Sequence, residues 1–168
     1  EKKTFQLHVI IVDNGSKNIF QINKSDYSTS IEIIRSDTNT GFAGGNNIGI
    51  REALKQNADY VLLLNNDTKV YSDMIKNLTL VADHNPQIGI TVPKIYFAKG
   101  HEFHKNRYKP DELGKVLWYA GGFTDWDNVK SIHRGVDKID HGQYAQSNIE
   151  PIRNYIQPEI DHRENEQG

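Results

Sequence analysis

Asp59-Tyr60-Val61-Leu62-Leu63-Leu64-Asn65-Asn66-Asp67-Thr68-Lys69-Val70 is the stretch that decides the fold class. Tyr60 to Leu64 is a continuous apolar run bounded by polar residues. A run this short, apolar at every position, predicts a strand buried on both faces, as in a parallel sheet. It stops abruptly at Asn65, Asn66 and Asp67. In open α/β sheets, ligands bind just outside the carboxyl ends of the strands. An acidic residue there can hold a divalent cation, and the cation can hold a diphosphate. Asn and Asp also favour plain turns, so this stretch alone leaves both readings open.

Working outward, Leu7 to Val12 is a second apolar, β-branched run, ending in Asp13-Asn14-Gly15-Ser16. It reads as strand, turn, and a Ser able to cap a short helix through Ile19, Phe20 and Ile22. Ile31 to Ile34 is a third short strand. Between it and the central run lies Asn39-Thr40-Gly41-Phe42-Ala43-Gly44-Gly45-Asn46-Asn47-Ile48-Gly49. Gly41, Gly44 and Gly45 would let the backbone approach a ligand closely, in a turn that opens a helix carrying Ile50, Ala53 and Leu54 on one face. Such a turn suits phosphate or sugar oxygens, although it is neither a GxGxxG nor a P-loop and also fits a flexible connection. After the central run, Ser72 is placed to cap a helix whose face is Met74, Ile75, Leu78, Val81 and Ala82. Asn85-Pro86 stops it. Ile88 to Val92 reads as a strand broken by Pro93, with Lys94 to Ala98 as an edge segment, and Val116 to Ala120 as another strand. The basic stretch Lys99 to Pro110 reads as a solvated loop. Phe123 to Tyr144 is loop-rich; its Asp and His residues lack the tight spacing of a metal site.

Composition narrows the function classes. The chain has 168 residues, enough for one domain with a core. Twenty basic residues against 22 acidic give a net charge of −2, with no nucleic-acid footprint. The absence of cysteine excludes disulfides, thiolate metal sites and a cysteine nucleophile. No apolar run reaches membrane-spanning length. The sequon matches at Asn23, Asn66 and Asn77 are read as chance. The expected location is cytoplasmic, with peripheral attachment at the inner face of a membrane in the full-length protein left open. The segment after Pro158 is charged, nearly free of apolar residues and expected to be poorly ordered. The expected division is residues 1–150 as a partial domain and 151–168 as a polar tail.

The alternation of strands and helices indicates an α/β fold. Val12-Asp13-Asn14-Gly15-Ser16, then Asn39 to Ile50, then Tyr60 to Asp67, resemble glycosyltransferase family 2 in order and spacing. Ile88 to Tyr96, Tyr119-Ala120-Gly121-Gly122 and His133-Arg134-Gly135 extend the likeness, whose nearest flavour is the rhamnosyltransferase-like branch. It covers roughly Leu7 to Tyr144. The resemblance implies a GT-A, Rossmann-like, mostly parallel sheet flanked by helices. It also implies a nucleotide-diphosphate sugar as donor, and a glycan or lipid-linked acceptor in the full enzyme, as in polysaccharide biosynthesis. By the same resemblance Asp13 contacts the nucleotide base and the segment from Gly41 to Asn47 lies along the nucleotide. Asp67 holds a divalent cation, Mn2+ or Mg2+, that carries the diphosphate. The nucleotide-sugar contacts expected are thus Asp13, Asn14, Gly41, Gly45, Asn46, Asn66 and Asp67.

The departures shape the expected activity. Asn65 stands where the family's metal motif has its first acid, leaving Asp67 as the main ligand. Asn46 stands where other members carry an arginine. No Glu-Asp pair of the kind that supplies the family's base follows Tyr144; Glu159 and Asp161 are separated in the polar tail. His133 and His141 are of the residue type most often used as a general base, yet neither sits in a base motif. The reading is therefore the donor-binding portion of a glycosyltransferase, inactive in isolation. A non-catalytic nucleotide-binding or interaction module and a nucleotidyltransferase stay open as alternatives. The resemblance also places the family's opening strand in mid-sheet, between Leu7–Val12 and Tyr60–Leu64, and only six residues precede Leu7. An open slot there predicts self-association or marginal stability, with Val116 to Ala120 and Ile149 to Ile156 as candidate fillers.

Overall fold

The computed structural model describes residues 5–125 and 127–144. The chain divides into two compact units, Glu1–Lys69 and Val70–Gly168. The tail and the segment from Ile149 to Ile156 lie outside the described residues.

In the first unit, β1 (His8–Asn14) pairs in parallel with β2 (Ser30–Ser36), in register from His8 opposite Ser30 to Asn14 opposite Ser36. Parallel neighbours need a crossover of a dozen or more residues, which residues 15–29 supply. The helix expected at Ile19 to Ile22 does not form. The backbone N–H groups of Ser16 and Phe20 donate to the Asp13 carboxylate instead, a local alternative to helical bonding. Only a 3-10 turn, Lys24–Asp26, interrupts the crossover. Helix α1 (Gly41–Lys55) packs on β1. A Cβ added at Gly49 would stand 3.3 Å from a Val12 methyl, so the missing side chain sets how closely helix and strand approach. The glycine-rich turn is therefore the helix's own first turns rather than a loop preceding it. Of the expected apolar face, Ala53 is buried and Ile50 half-buried, but Leu54 is exposed.

Tyr60 to Leu64 departs from expectation. Among the described residues it belongs to no strand ladder, and its side chains are 42–54% exposed. A strand buried on both faces requires a hydrogen-bonded neighbour and cover above and below. Among the described residues the run joins no ladder, and all five of its residues stay exposed.

In the second unit, α2 (Met74–His84) forms where the periodicity places it. Met74, Ile75, Leu78, Val81 and Ala82 are half-buried, while Lys76, Asn77, Asp83 and His84 face outward. Its N-cap is Asp73 rather than Ser72, without a side-chain capping bond. Ile88 to Val92 forms no strand, and Ile90 is exposed; flanking Gly89 and Pro93 both disfavour a ladder. Strand β3 (Ile95–Tyr96) pairs antiparallel with β4 (Leu117–Tyr119), so the segment from Val116 to Ala120 pairs within this unit. Val116 bridges Ile139, and the Leu117 N–H donates to the Lys138 carbonyl at 2.9 Å. Val116, Leu117 and Ala120 form the buried apolar centre. The region expected to be loop-rich contains a hairpin, β5 (Gly122–Asp125) with β6 (Lys130–His133). The Asp125 carboxylate closes its turn, accepting from the N–H groups of Asp127 and Asn128.

Candidate functional site

The carboxyl end of β1 and the start of α1 meet in one corner of the first unit, and four expected site residues converge there. Asp13, the last buried residue of β1, is 5% exposed. Its carboxylate accepts from Ser16 N–H at 3.0 Å and Phe20 N–H at 3.4 Å, and is paired with the Arg35 guanidinium. Strand register sets that pairing, because Asp13 lies directly opposite Arg35. A second Arg35 nitrogen donates to the Ser16 carbonyl at 2.9 Å, tying the turn to β2. Bonds from Ser16, then Phe20 and Arg35, draw the Asp13 pKa down to about 2. A carboxylate so held is ionised throughout the physiological range.

Asn14 connects the two loops. Its Oδ1 accepts from the Thr40 N–H at 3.0 Å and the Thr40 hydroxyl at 2.8 Å. Its Nδ2 donates to the Gly41 carbonyl at 3.0 Å and to Asn39 Oδ1 at 3.1 Å. Asn39 Oδ1 also accepts from the Gly41 N–H at 2.8 Å, giving one of the helix's first donors a partner.

The glycines separate into two kinds. At Gly41, with φ of +74°, nothing lies within 4 Å of where a Cβ would stand. At Gly45, buried in α1, an added Cβ would stand 3.0 Å from Asn14 Nδ2; at Gly44 it would stand 2.6 Å from Thr40 Oγ1. Gly41 thus has open space on its Cβ side, whereas Gly44 and Gly45 admit the neighbouring loop. Asn46 is half-buried on α1. Asn66 and Asp67 are exposed in a separate turn, closed by the Thr68 hydroxyl donating to the Asn65 carbonyl at 2.7 Å. No hydrogen bond joins them to the Asp13–Asn14 corner among the described residues. Arg35, Asn39 and Thr40 are the participants that sequence reading missed. The strand register opposite Asp13 was the available signal for Arg35.

Among the described residues no three acidic, His or Cys side chains cluster as a metal cage. A small hard cation that keeps several waters and substrate phosphates needs only one or two protein carboxylates. The exposed Asp67 fits that donor set; it does not fit a cage made of protein alone.

The second unit holds polar clusters of its own. Asp137 accepts from Arg107 Nη1 at 2.6 Å and from the Tyr108 hydroxyl, and its carboxylate lies 2.7 Å from the His104 ring nitrogen. Burial first, then the Asp137 bond, pushes the Tyr108 pKa up to about 12. Glu102 is buried and accepts from the N–H groups of Gly100 and Gly114 at 2.8 and 2.6 Å. The stretch from Lys99 to Pro110 is thus anchored rather than merely solvated. His133 packs edge-on against Trp118 and Tyr119, with centroids 5.3 and 5.2 Å apart.

Residues 2–139 match the family described as "Glycosyl transferase family 2". The chain is 27% identical over 136 residues to "dTDP-rhamnosyl transferase RfbF" of Shigella flexneri, covering 80% of this chain and 45% of that protein. It is 31% identical over 88 residues to an "Uncharacterized glycosyltransferase" of Haemophilus influenzae, covering 52% and 29%. It therefore spans less than half the length of these curated relatives. No solved structure gives a significant match. No helix among the described residues is long and apolar enough to cross a membrane. A parallel strand pair whose carboxyl-end turns face a glycine-opened helix, in a chain matched over most of its length, places this protein in glycosyl transferase family 2, with the GT-A fold that the family implies.

Proposed function

We propose that this chain is the donor-binding portion of an enzyme that transfers a sugar from a nucleotide-diphosphate sugar to an acceptor hydroxyl. The observation that carries the reading is the corner where β1 ends and α1 begins, with an ionised Asp13 beside a helix start left open at Gly41. In this reading Asp13 faces the nucleotide, and the backbone at Gly41, with Asn46, lies along it. Asn66 and Asp67 approach the diphosphate. Asp67 would hold a divalent cation, Mn2+ or Mg2+, which supplies charge stabilisation to the departing diphosphate. In the full enzyme a base takes the proton of the acceptor hydroxyl as its oxygen attacks the anomeric carbon and the bond to the diphosphate breaks. No residue of this chain is assigned that base, so the isolated chain is expected to bind donor without transferring sugar. The name of the Shigella relative makes a thymidine-diphosphate-linked deoxysugar the first donor to test. The acceptor would be a growing glycan or a lipid-linked sugar, which suits a cytoplasmic enzyme working beside the membrane's inner face.

Calorimetric titration with thymidine, uridine and guanosine diphosphates, each with and without manganese, tests the reading. Metal-dependent binding is expected for at least one nucleotide, and it should lose its metal dependence in Asp67→Ala while the fold is kept. Unchanged metal-dependent affinity in that variant would remove Asp67 from the site. Absence of binding in the parent chain would overturn the donor reading.

A further inference from the structure

We propose that Asn14 is a positioning residue rather than a ligand contact. In this view its amide latches the turn after β1 to the start of α1 and so fixes the open backbone at Gly41. An asparagine amide has two donor hydrogens and two acceptor lone pairs. All four are used inside the corner: the Thr40 N–H and hydroxyl on Oδ1, and the Gly41 carbonyl and Asn39 Oδ1 on Nδ2. The orientation of the amide is determined by these partners. Flipped, it would set NH2 against the Thr40 N–H and oxygen against the Gly41 carbonyl. A nucleotide can therefore gain a bond from Asn14 only by breaking the latch.

The surrounding residues are arranged for the same lock. Gly45 is buried against the Asn14 amide, and any side chain there would push on Nδ2. Gly15 has φ of +75°, and a Cβ on it would stand 2.6 Å from the Asn39 nitrogen. Two chain segments 25 residues apart are thus held by one side chain. What they fix is the backbone of Gly41, whose N–H and carbonyl are bonded to Asn39 and Asn14 and whose Cβ side faces open space. Holding such groups in place before the ligand arrives reduces the ordering cost of binding.

The inference rests on the donor reading, and the experiment separates the two. Asn39→Ala removes two bonds of the corner, that from Asn14 Nδ2 and that from the Gly41 N–H, without touching Asn14. Asn14→Ala, Asn39→Ala and the double variant are titrated with the same three nucleoside diphosphates and manganese, below the onset of thermal unfolding of every variant. Asn39→Ala should weaken binding about tenfold, near the net value of one hydrogen bond, and Asn14→Ala by at least as much. The double should be no weaker than the worse single, because one latch can be lost only once. Losses that multiply in the double, or full affinity in Asn39→Ala beside lost affinity in Asn14→Ala, would make Asn14 a direct contact and overturn the proposal. Amide hydrogen exchange of residues 37–45 gives a readout without nucleotide. Faster exchange in both single variants is expected, and unchanged exchange would overturn the latch even if affinity fell. A parent chain that binds no nucleotide but shows the exchange change would sink the donor reading, and the positioning role with it, while leaving the latch as architecture.

Discussion

Asp13 in the first unit and Asp140 in the second are held ionised by different partners with the same consequence. Ser16 leads for Asp13. For Asp140 the leading bond is from Lys94, whose Nζ lies 2.7 Å away, followed by that from the Tyr96 hydroxyl. Both carboxyls fall from an ordinary 3.8 to about 2. A depressed folded-state pKa means that the unfolded chain takes up its proton first as pH falls. The contribution to stability is therefore complete above 3.8 and is lost progressively as pH drops towards 2. Urea-unfolding midpoints should fall across that window. Asp140→Asn should lower the midpoint at neutral pH and make the acid-side decline shallower. A decline as steep as the parent's would show that Asp140 is not a source of it. Asp13→Asn sets an NH2 group among donors from Ser16, Phe20 and Arg35. It should weaken both the fold of the corner and nucleotide binding. Full affinity per folded molecule, with only the melting temperature lowered, would confine Asp13 to holding its own turn.

At the scale of elements, α1 is the informative case. Glycine in a helix interior is ordinarily worse than alanine by about 1 kcal/mol, so propensity alone predicts that Gly44→Ala stabilises. The structure reverses the sign. An added Cβ would stand 2.6 Å from both the Cβ and Oγ1 of Thr40, forcing that side chain off the Asn14 oxygen. Overpacking of this kind costs about 1–3 kcal/mol, which exceeds the propensity gain, so Gly44→Ala should lower the thermal midpoint. A raised midpoint would mean that Thr40 rotates away at little cost. The glycines were legible in the sequence as a place of close approach, but composition could not say what approaches. The neighbour of Gly45 is Asn14, which the packing of α1 on β1 brings near. Periodicity sufficed for α2 and for β1, β2 and β4, whose apolar runs are matched by partners. It failed at residues 15–29, where a carboxylate captures backbone donors, and at Ile88 to Val92, where glycine and proline oppose a ladder. The hairpin of β5 and β6 was missed because its strands are mostly exposed and carry no clear alternation. Asp13 and Asn14 were found by likeness to a family; their partners Arg35, Asn39 and Thr40 are products of register and turn geometry.

For the whole molecule, the exposed run from Tyr60 to Leu64 sets an expectation for behaviour in solution. Five consecutive apolar side chains are about half exposed, and β1 is paired only on its β2 edge among the described residues. Fully burying a large apolar side chain is worth about 1.5–3 kcal/mol. Covering the exposed half of five such side chains is therefore worth on the order of 5 kcal/mol. Association costs roughly 4–15 kcal/mol in translational and rotational freedom. The apolar run alone is thus too small for a tight complex, although backbone pairing along a strand edge adds to it. The expected outcome is weak, concentration-dependent self-association through this run. Light scattering over a concentration series should show an average mass that rises with concentration. Leu62→Lys with Leu64→Lys should abolish the rise, because charge along an exposed extended run opposes edge pairing. Because both side chains are half exposed, the double variant should keep the parent's thermal midpoint when measured in dilute solution. Loss of fold in that variant would mean that the run is covered within the monomer. A parent chain that stays monodisperse at every concentration would remove self-association as the consequence of the exposed run.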